Sequence, residues 1–210
     1  MNCPLCLNSA YSHFHRDKKR DYFRCSNCQL VFVPEDQFLS DSEEKAIYDL
    51  HENDVSDEGY RKFLNRLASP ITEKLPPGSH GLDFGCGPGP ALADILVLNG
   101  FKVDLYDLFY YPDKSKLKDK YDFITATEVI EHIKFSANAF CYFEDRLKSG
   151  GILGLMTKLV IDLEAFSKWH YKNDQTHIRF FSAETFEWVA ENWAFHLEII
   201  GKDVILLQKK

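Results

Sequence analysis

The residues of this chain that are best suited to chemistry surround a glycine-rich stretch near its middle. Gly85, Gly87 and Gly89 stand at alternate positions, Asp83 precedes them, and an apolar run over 90–99 with helical character follows at once. Glycine at this spacing lets the backbone turn sharply and approach a bound nucleoside closely. The helix N-terminus beyond offers free N–H groups and a partial positive charge. The stretch predicts a cofactor-binding loop, and therefore an enzyme.

The glycine spacing also selects among cofactors. Dinucleotide-binding folds use Gly-x-Gly-x-x-Gly, whereas here the third glycine comes one position earlier. With its preceding acid, the stretch resembles motif I of the class I S-adenosylmethionine-dependent methyltransferases, and the resemblance covers about residues 81–207. It implies that S-adenosylmethionine is held by Asp83, Gly85, Cys86, Gly87 and Gly89. The alternative is a glycine-rich turn that binds no ligand.

A second acid, Asp107, ends the next predicted strand, 101–106. A carboxylate at that point can accept both ribose hydroxyls, and in the family that it resembles the matching acid binds the ribose. A turn cap is the alternative. Thr127, at the end of the predicted strand 121–126, completes the expected cofactor set.

Acids and histidines follow that strand. Glu128, Glu131 and His132 would share one face of a helix if a helix begins there, and His177 lies within an aromatic-rich insertion over 159–181. Near neutral pH, His132 or His177 could take a proton from an acceptor hydroxyl. We therefore take Glu128, His132 and His177 as the catalytic candidates.

Two other interpretations of these residues stay open. The Glu-x-x-Glu-His run with a later histidine resembles the Mg²⁺-binding set of small-RNA 2′-O-methyltransferases. That resemblance implies a divalent ion that acidifies a hydroxyl, held by Glu128, Glu131, His132 and His177. In the structural interpretation, the acids favour a helix start and His132 packs or caps.

Four of the six cysteines form two pairs, each with two residues between its thiols. Two such pairs can place four thiolates around one ion, which predicts a zinc ribbon with structural Zn²⁺ bound by Cys3, Cys6, Cys25 and Cys28. Disulfides or a redox pair are the alternatives.

The basic run Arg16–Arg20 is interpreted as a solvated hairpin tip or as a phosphate contact. Cys141 is expected in the core of a helix.

Bulk properties divide the chain into three parts. The charge changes near residue 34: ten acids stand against Lys45 alone over 34–60. We expect a zinc ribbon over 1–34, a helical linker and lid over 35–79, and the S-adenosylmethionine-binding methyltransferase domain over 80–210. Tyr48 and His51 could form the lid or simply pack.

No apolar run approaches the ~18 residues of a membrane span, and no signal peptide is apparent, so a cytoplasmic location is expected.

The expected fold is α/β, a Rossmann-like class I methyltransferase sheet with an antiparallel C-terminal strand pair and a small N-terminal zinc ribbon. Thirteen residues separate Asp107 from Tyr121. This is too few for a helix, a strand and a second helix, so the third strand is predicted to be missing or vestigial.

The expected function is methyl transfer to a small-molecule or carrier-bound acceptor at oxygen. The net charge of −7 weighs against the first alternative, an RNA methyltransferase that grips its substrate through the ribbon. The second alternative is a non-catalytic binding protein on the same frame.

Overall fold

The computed structural model describes residues 1–50 and 55–210, in which strands and helices alternate from residue 80 onward. The strands are β1 (Tyr11–Arg16), β2 (Asp21–Cys25), β3 (Val31–Phe32), β4 (His80–Phe84), β5 (Lys102–Tyr106), β6 (Tyr121–Thr127), β7 (Leu147–Met156), β8 (Arg179–Phe180), β9 (Phe195–Ile200) and β10 (Val204–Lys209). The α-helices are α1 (Asp41–Tyr48), α2 (Glu58–Lys74), α3 (Ala91–Leu98), α4 (Ser136–Arg146), α5 (Leu163–Lys168) and α6 (Ala183–Asn192).

The larger sheet has the strand order β5-β4-β6-β7-β10-β9. Strands β5, β4, β6 and β7 run parallel, and β10 pairs antiparallel with both β7 and β9. The segment between Asp107 and Tyr121 adds no strand to this sheet; it holds a bridge from Asp107 to Tyr111 and a 3-10 turn, Lys116–Lys118. The structure therefore confirms the predicted sheet, its antiparallel pair and the loss of the third strand.

Helices cover both faces of this sheet, as parallel strands require. On one face α2 and α3 bury side chains such as Leu67, Ile71 and Leu96, and on the other α4 and α6 bury Phe140 and Phe186. The inner strands β4, β6, β7 and β10 are buried on both faces over most of their length, whereas the edge strands β5 and β9 carry exposed or half-buried polar residues. Among the described residues, no helix combines the length and the apolar character that a bilayer crossing needs.

A second, smaller sheet has the order β1-β2-β3-β8. Its fourth strand comes from the aromatic insertion, because Phe180 and Arg179 of β8 pair with β3. Beside this sheet the rings of Phe166 and Phe180 pack against Tyr22 of β2, and Trp169 packs in turn against both phenylalanines. Most of the insertion's aromatic side chains therefore join the ribbon to the rest of the protein.

Two expectations about single residues are wrong. Arg20 was expected with the solvated basic run, but only 3% of its surface is exposed, because its guanidinium is bonded to backbone carbonyls of the insertion. Cys141 was expected in the core, but it is exposed on the outer side of α4, where its sulfur accepts a hydrogen bond from Trp193 at 3.3 Å.

Gly81 of β4 marks the tightest backbone approach in the sheet. A Cβ atom there would lie 2.1 Å from Cε2 of the buried Phe123 ring. Overpacking of this kind costs about 1–3 kcal/mol, so we expect Gly81→Ala to lower the free energy of unfolding by that amount in urea titrations. Gly59→Ala, at the exposed start of α2, is the control and should change the free energy of unfolding by less than about 1 kcal/mol, because its Cβ atom would meet only the exposed Asp57 carboxylate, at 3.2 Å.

Gly81→Ala should cost less stability in a Phe123→Leu background than in the unmodified chain, because the smaller side chain relieves the clash. A Gly81→Ala protein with the urea midpoint of the unmodified chain would contradict this account of the packing.

Candidate functional site

The glycine loop turns sharply at the end of β4. Gly85 and Gly87 have φ angles of +75° and +66°, in the left-handed region that favours glycine. A Cβ atom on Gly85 would lie 2.5 Å from a methyl group of Val129, and the Gly85 N–H donates to the Tyr106 carbonyl at 2.7 Å. The loop is thus folded against the end of β5 and over Val129, where only glycine fits at position 85.

A cavity of about 1210 Å³ opens beside this loop, at the carboxyl ends of the parallel strands. Open α/β sheets bind their ligands at this edge, and the volume exceeds the roughly 300–1,000 Å³ of ordinary small-molecule sites. The sequence-predicted residues that line it are Gly85, Cys86, Gly87, Asp107, Thr127, Glu128, His132 and His177.

The helices α1 and α2 form one wall of the cavity. Tyr48 of α1 lines it, donates to Glu44 at 2.8 Å and packs its ring edge-on against His132 at 5.4 Å. The next residues past α1 bring the exposed Leu50 to the cavity mouth. His51, the other residue considered for a lid, lies outside the described residues.

Asp107 lines the cavity and also caps a turn. One carboxylate oxygen accepts from the N–H of Gly87 at 3.1 Å, and the other accepts from Phe109 at 2.8 Å and from Tyr110 at 3.1 Å. A carboxylate has about four acceptor positions, so these bonds fix its orientation and leave capacity for a ligand. The two interpretations of Asp107 are therefore compatible.

Asp83 and Gly89 do not reach the cavity. Asp83 is 3% exposed and accepts from the Thr125 hydroxyl at 2.7 Å, behind the loop. Burial, together with the nearby charge of Asp107, raises the pKa of Asp83 to about 6. Gly89 lies past the loop, where its carbonyl accepts from Ala91 at the start of α3. Both residues shape the loop from outside the cavity.

The sequence suggested that Glu128, Glu131 and His132 could share one face of a helix. In the structure they do not. The chain reverses after β6: Glu128 has a φ angle of +52° and its N–H donates to the Met156 carbonyl at 2.8 Å. A 3-10 turn, Ile130–His132, follows. This reversal leaves Glu128 lining the cavity, whereas Glu131 is fully buried behind it.

The two glutamates meet at one tyrosine. The Tyr171 hydroxyl contacts an oxygen of Glu131 and lies 3.1 Å from an oxygen of Glu128. Burial, together with the nearby charge of Glu128, raises the pKa of Glu131 to about 8, and burial also raises the pKa of Glu128. Both carboxyl groups therefore hold a proton more tightly than an exposed glutamate does. The second oxygen of each carboxyl group is buried without a hydrogen-bond partner among the described residues.

Two imidazoles complete this cluster. Nδ1–H of His177 donates to the Tyr171 carbonyl at 2.7 Å, and Nδ1–H of His132 donates to the Thr176 carbonyl at 3.1 Å. These carbonyl acceptors assign the tautomer in which Nε2 carries no proton. Burial lowers the pKa of His177, which keeps its ring neutral. One ligand atom each of Glu131, His132 and His177 lies within 4.8 Å of the others, while Glu128 is outside this group.

The four cysteines predicted to bind zinc come together in the ribbon. Their sulfur atoms all lie within 4.8 Å of one another, with Cys3 and Cys28 at 3.5 Å and Cys6 and Cys25 at 3.4 Å. Zn–S bonds of about 2.3 Å in a tetrahedron place the sulfurs about 3.8 Å apart. All four are free thiols, so the disulfide alternative finds no support, and the set fits one zinc ion.

Sequence reasoning missed the contribution of α4 to the cavity. Asn138 and Tyr142 line it, and the Tyr142 hydroxyl is buried with no hydrogen-bond partner among the described residues. A single tyrosine within an amphipathic helix belongs to no motif, so nothing in the sequence distinguishes it from a packing residue.

The raised pKa of Asp83 predicts a pH-dependent stability. In the folded protein its pKa is about 6 against an ordinary 3.8, so the folded state binds this proton more tightly than the unfolded chain. Between these pH values the contribution of Asp83 to the free energy of unfolding falls as pH rises, by about 3 kcal/mol in total. Asp83→Asn removes this loss while keeping an acceptor for Thr125.

In urea titrations, the free energy of unfolding of Asp83→Asn should therefore be higher relative to the unmodified protein at about pH 7 than at about pH 4. Asp36→Asn, at an exposed position, is the control, and its difference from the unmodified protein should not change with pH. A constant difference between Asp83→Asn and the unmodified protein across this range would contradict the assignment.

Comparison with known proteins agrees with this architecture. Residues 52–198 match the family described as "Methyltransferase domain". No curated protein sequence matches the chain. Several solved structures are similar in fold, at identities too low to carry function.

Three of these solved structures are characterised by their TM-score, their sequence identity and the share of each chain that is covered. The chain is similar to 1,6-didemethyltoxoflavin-N1-methyltransferase from Burkholderia thailandensis, solved with 1,6-didemethyltoxoflavin and S-adenosylhomocysteine (TM-score 0.56, 12% identity, 87% of this chain and 96% of that chain). It is similar to a methyltransferase from Archaeoglobus fulgidus that depends on S-adenosylmethionine (TM-score 0.54, 14% identity, 71% and 94%). It is also similar to an O-methyltransferase family protein from Burkholderia thailandensis (TM-score 0.51, 12% identity, 80% and 62%).

The family match covers more than half of the chain, and the sheet order and glycine loop are those described above. The protein therefore belongs to the methyltransferase-domain family, with the fold of the class I S-adenosylmethionine-dependent methyltransferases.

Proposed function

We propose that this protein transfers a methyl group from S-adenosylmethionine to a hydroxyl oxygen of a small-molecule or carrier-bound acceptor. One observation carries the proposal. A single cavity extends from the glycine loop and Asp107 to the cluster of Glu128, Tyr171 and His177. Its volume of about 1210 Å³ allows a nucleoside cofactor and an acceptor to lie side by side.

The residues at the loop end fit the cofactor. Gly85, Cys86 and Gly87 bring backbone to the cavity without an obstructing side chain at either glycine, and Asp107 is oriented there to accept from the ribose hydroxyls. Thr127 contributes a buried hydroxyl that has no partner among the described residues. When bound, S-adenosylmethionine supplies an electrophilic methyl group on its sulfonium sulfur.

The residues at the other end suit an acceptor that must lose a proton. In the assigned tautomer, Nε2 of His177 is an acceptor, and its lowered pKa keeps it neutral and able to accept the hydroxyl proton. Asp174 lies 3.8 Å from this nitrogen and favours the imidazolium that forms. Glu128 and His132 would orient the hydroxyl, which makes Glu128, His132 and His177 the proposed catalytic residues.

The cavity mouth favours an acceptor with an apolar body. Leu50, Leu108 and Phe135 line the cavity yet are 79%, 64% and 59% exposed, and apolar side chains that stay exposed around one cavity favour a binding surface. The Burkholderia thailandensis N1-methyltransferase acts on a small molecule, and the O-methyltransferase family protein shares the fold. These points support a small-molecule acceptor.

The two rival functions find less support. RNA binding through the ribbon would draw on its cations; Arg20 is buried and takes no part, whereas Arg16 and Lys19 are exposed but already contact Asp21 and Gln175. A non-catalytic binding protein would have no need for the buried imidazole of His177, which keeps an unprotonated nitrogen and lies near the carboxyl group of Glu131.

A divalent ion in the carboxylate–imidazole cluster is a second candidate mechanism. It is favoured by the convergence of Glu131, His132 and His177, whose imidazoles each donate Nδ1–H to a carbonyl as metal-binding histidines do. Two imidazoles among three ligands favour iron or zinc over the Mg²⁺ that the sequence pattern implied. Such an ion would acidify the acceptor hydroxyl in place of a histidine base.

Metal content should separate these mechanisms. The cysteine cluster predicts about one zinc per chain in purified protein, lost in Cys6→Ser/Cys28→Ser. With a histidine base, His177→Gln leaves this content unchanged and EDTA does not affect turnover. A second metal equivalent that disappears in His177→Gln, and activity that EDTA abolishes, would establish the divalent-ion mechanism instead. Protein without zinc would contradict the ribbon assignment.

Binding of S-adenosylhomocysteine, measured by calorimetry, tests the cofactor site. Asp107→Ala should weaken it by about 1–3 kcal/mol, the worth of hydrogen bonds to a charged group. Asp113→Ala, an exposed acid of the same connecting segment, is the matched control and should bind normally. Equal affinity of Asp107→Ala and the unmodified protein would mean that another residue holds the ribose.

The acceptor site is tested separately, by transfer of tritiated methyl groups from S-adenosylmethionine to a small-molecule extract and to total RNA. We expect label in the extract, and His177→Gln should lose it while keeping its affinity for S-adenosylhomocysteine. Label in RNA alone would establish the rival function.

A further inference from the structure

Arg20 lies in the turn between β1 and β2, yet all its described hydrogen bonds from the guanidinium go to a loop more than 150 residues away along the chain. One nitrogen donates to the carbonyls of Gln175 and His177, each at 2.9 Å. The other donates to the carbonyls of Lys172 and Asp174, at 2.7 and 3.0 Å. Four carbonyl oxygens of one short segment, 172–177, thus converge on a single buried cation, and we call this segment the acceptor loop.

Such convergence depends on the cation. Carbonyl dipoles that point at a common centre repel one another, and arginine's planar fork can satisfy several acceptors at fixed angles. Arg20 is 3% exposed and also lies over the Tyr22 ring, with Cζ 5.4 Å from its centroid. Without the guanidinium, the carbonyls of Gln175 and His177 would lose their described donor. Those of Lys172 and Asp174 would keep only the Tyr22 hydroxyl at 3.4 Å and the His177 N–H at 3.3 Å, so the loop would tend to open toward water.

The turn that carries Arg20 is itself held firmly. One oxygen of Asp17 accepts from the N–H groups of Lys19 and Arg20, at 2.8 and 2.9 Å. Its other oxygen accepts from the Tyr22 hydroxyl at 2.7 Å. The guanidinium is therefore presented by a rigid hairpin, not by a flexible tip.

The acceptor loop carries groups of the proposed acceptor site. Asp174 and His177 line the cavity, and the Thr176 carbonyl accepts from His132. The loop's geometry consequently sets where both imidazoles stand relative to Glu131 and Tyr171.

We propose that Arg20 is a positioning residue: through its bonds to the acceptor loop, the ribbon holds His177 and Asp174 in place on the acceptor side of the cavity. This inference rests on the proposed function for its catalytic meaning, whereas the structural coupling stands independently. The ribbon is then part of the framework of the acceptor site and need not touch the substrate.

The test compares three variants of the full, zinc-loaded chain. Arg20→Met removes the hydrogen-bond donors, and Arg20→Lys keeps the positive charge but lacks the planar guanidinium group. Lys19→Met is the matched control, because Lys19 is exposed and reaches the same loop through the Gln175 side chain. Hydrogen–deuterium exchange of residues 170–178 should rise about tenfold in Arg20→Met, less in Arg20→Lys and not in Lys19→Met.

A second measurement separates positioning from general destabilisation. The ε1-proton NMR resonance of His177, assigned with His177→Gln, should shift or broaden in Arg20→Met and move back toward its normal position in Arg20→Lys. Exchange in the glycine loop and affinity for S-adenosylhomocysteine should stay within about twofold of the unmodified protein. If Arg20→Met does not fold, Asp17→Ala, which loosens the same turn, should reproduce the effect in weaker form.

The outcomes distinguish this inference from the proposed function. A folded Arg20→Met protein with unchanged exchange over 170–178 and an unchanged His177 resonance would overturn the positioning role. Failure of the unmodified protein to bind S-adenosylhomocysteine would overturn the proposed function, while the exchange and NMR results would still decide the role of Arg20.

Discussion

The close backbone approach at Gly85 is the constraint on which the rest of the site depends. Because position 85 has no side chain, the loop after β4 can fold over Val129 and donate to the end of β5. That fold places the Gly87 N–H on Asp107 and opens the cavity between them. Any larger residue would collide with Val129, so the cofactor end of the cavity follows from one missing methyl group.

The acceptor end is built on a different principle, the burial of polar groups with few partners. Glu131 is fully buried with an oxygen that has no partner among the described residues, and its pKa is raised to about 8. Groups held in this way are costly for stability, and such costs concentrate where a ligand will complete the bonding. Arg20 supplies the complementary rigidity, since it fixes the backbone that carries His177.

Interactions between neighbours in sequence were open to prediction, and those between distant segments were not. The glycine loop, the cysteine pairs and the short segment before Tyr121 each depend on local spacing, and the fold expected from them was confirmed. Arg20 was misread because its partners lie in a loop more than 150 residues away. Cys141 was misread because its helix pattern does not reveal which side the sheet covers. The strand Arg179–Phe180 was missed because only pairing with the ribbon makes it a strand.

The sequence by itself determined the chemistry available to this protein: a side-chain-free loop, acids at two strand ends, four paired thiols and a set of glutamates and histidines. It could do so because these features depend on residue type and on spacing along a strand or turn. Only the tertiary structure decided which groups share a cavity. The reversal at Glu128 separates it from the buried Glu131. The guanidinium of Arg20 draws four distant carbonyls together, because a buried cation must find acceptors wherever the fold brings them.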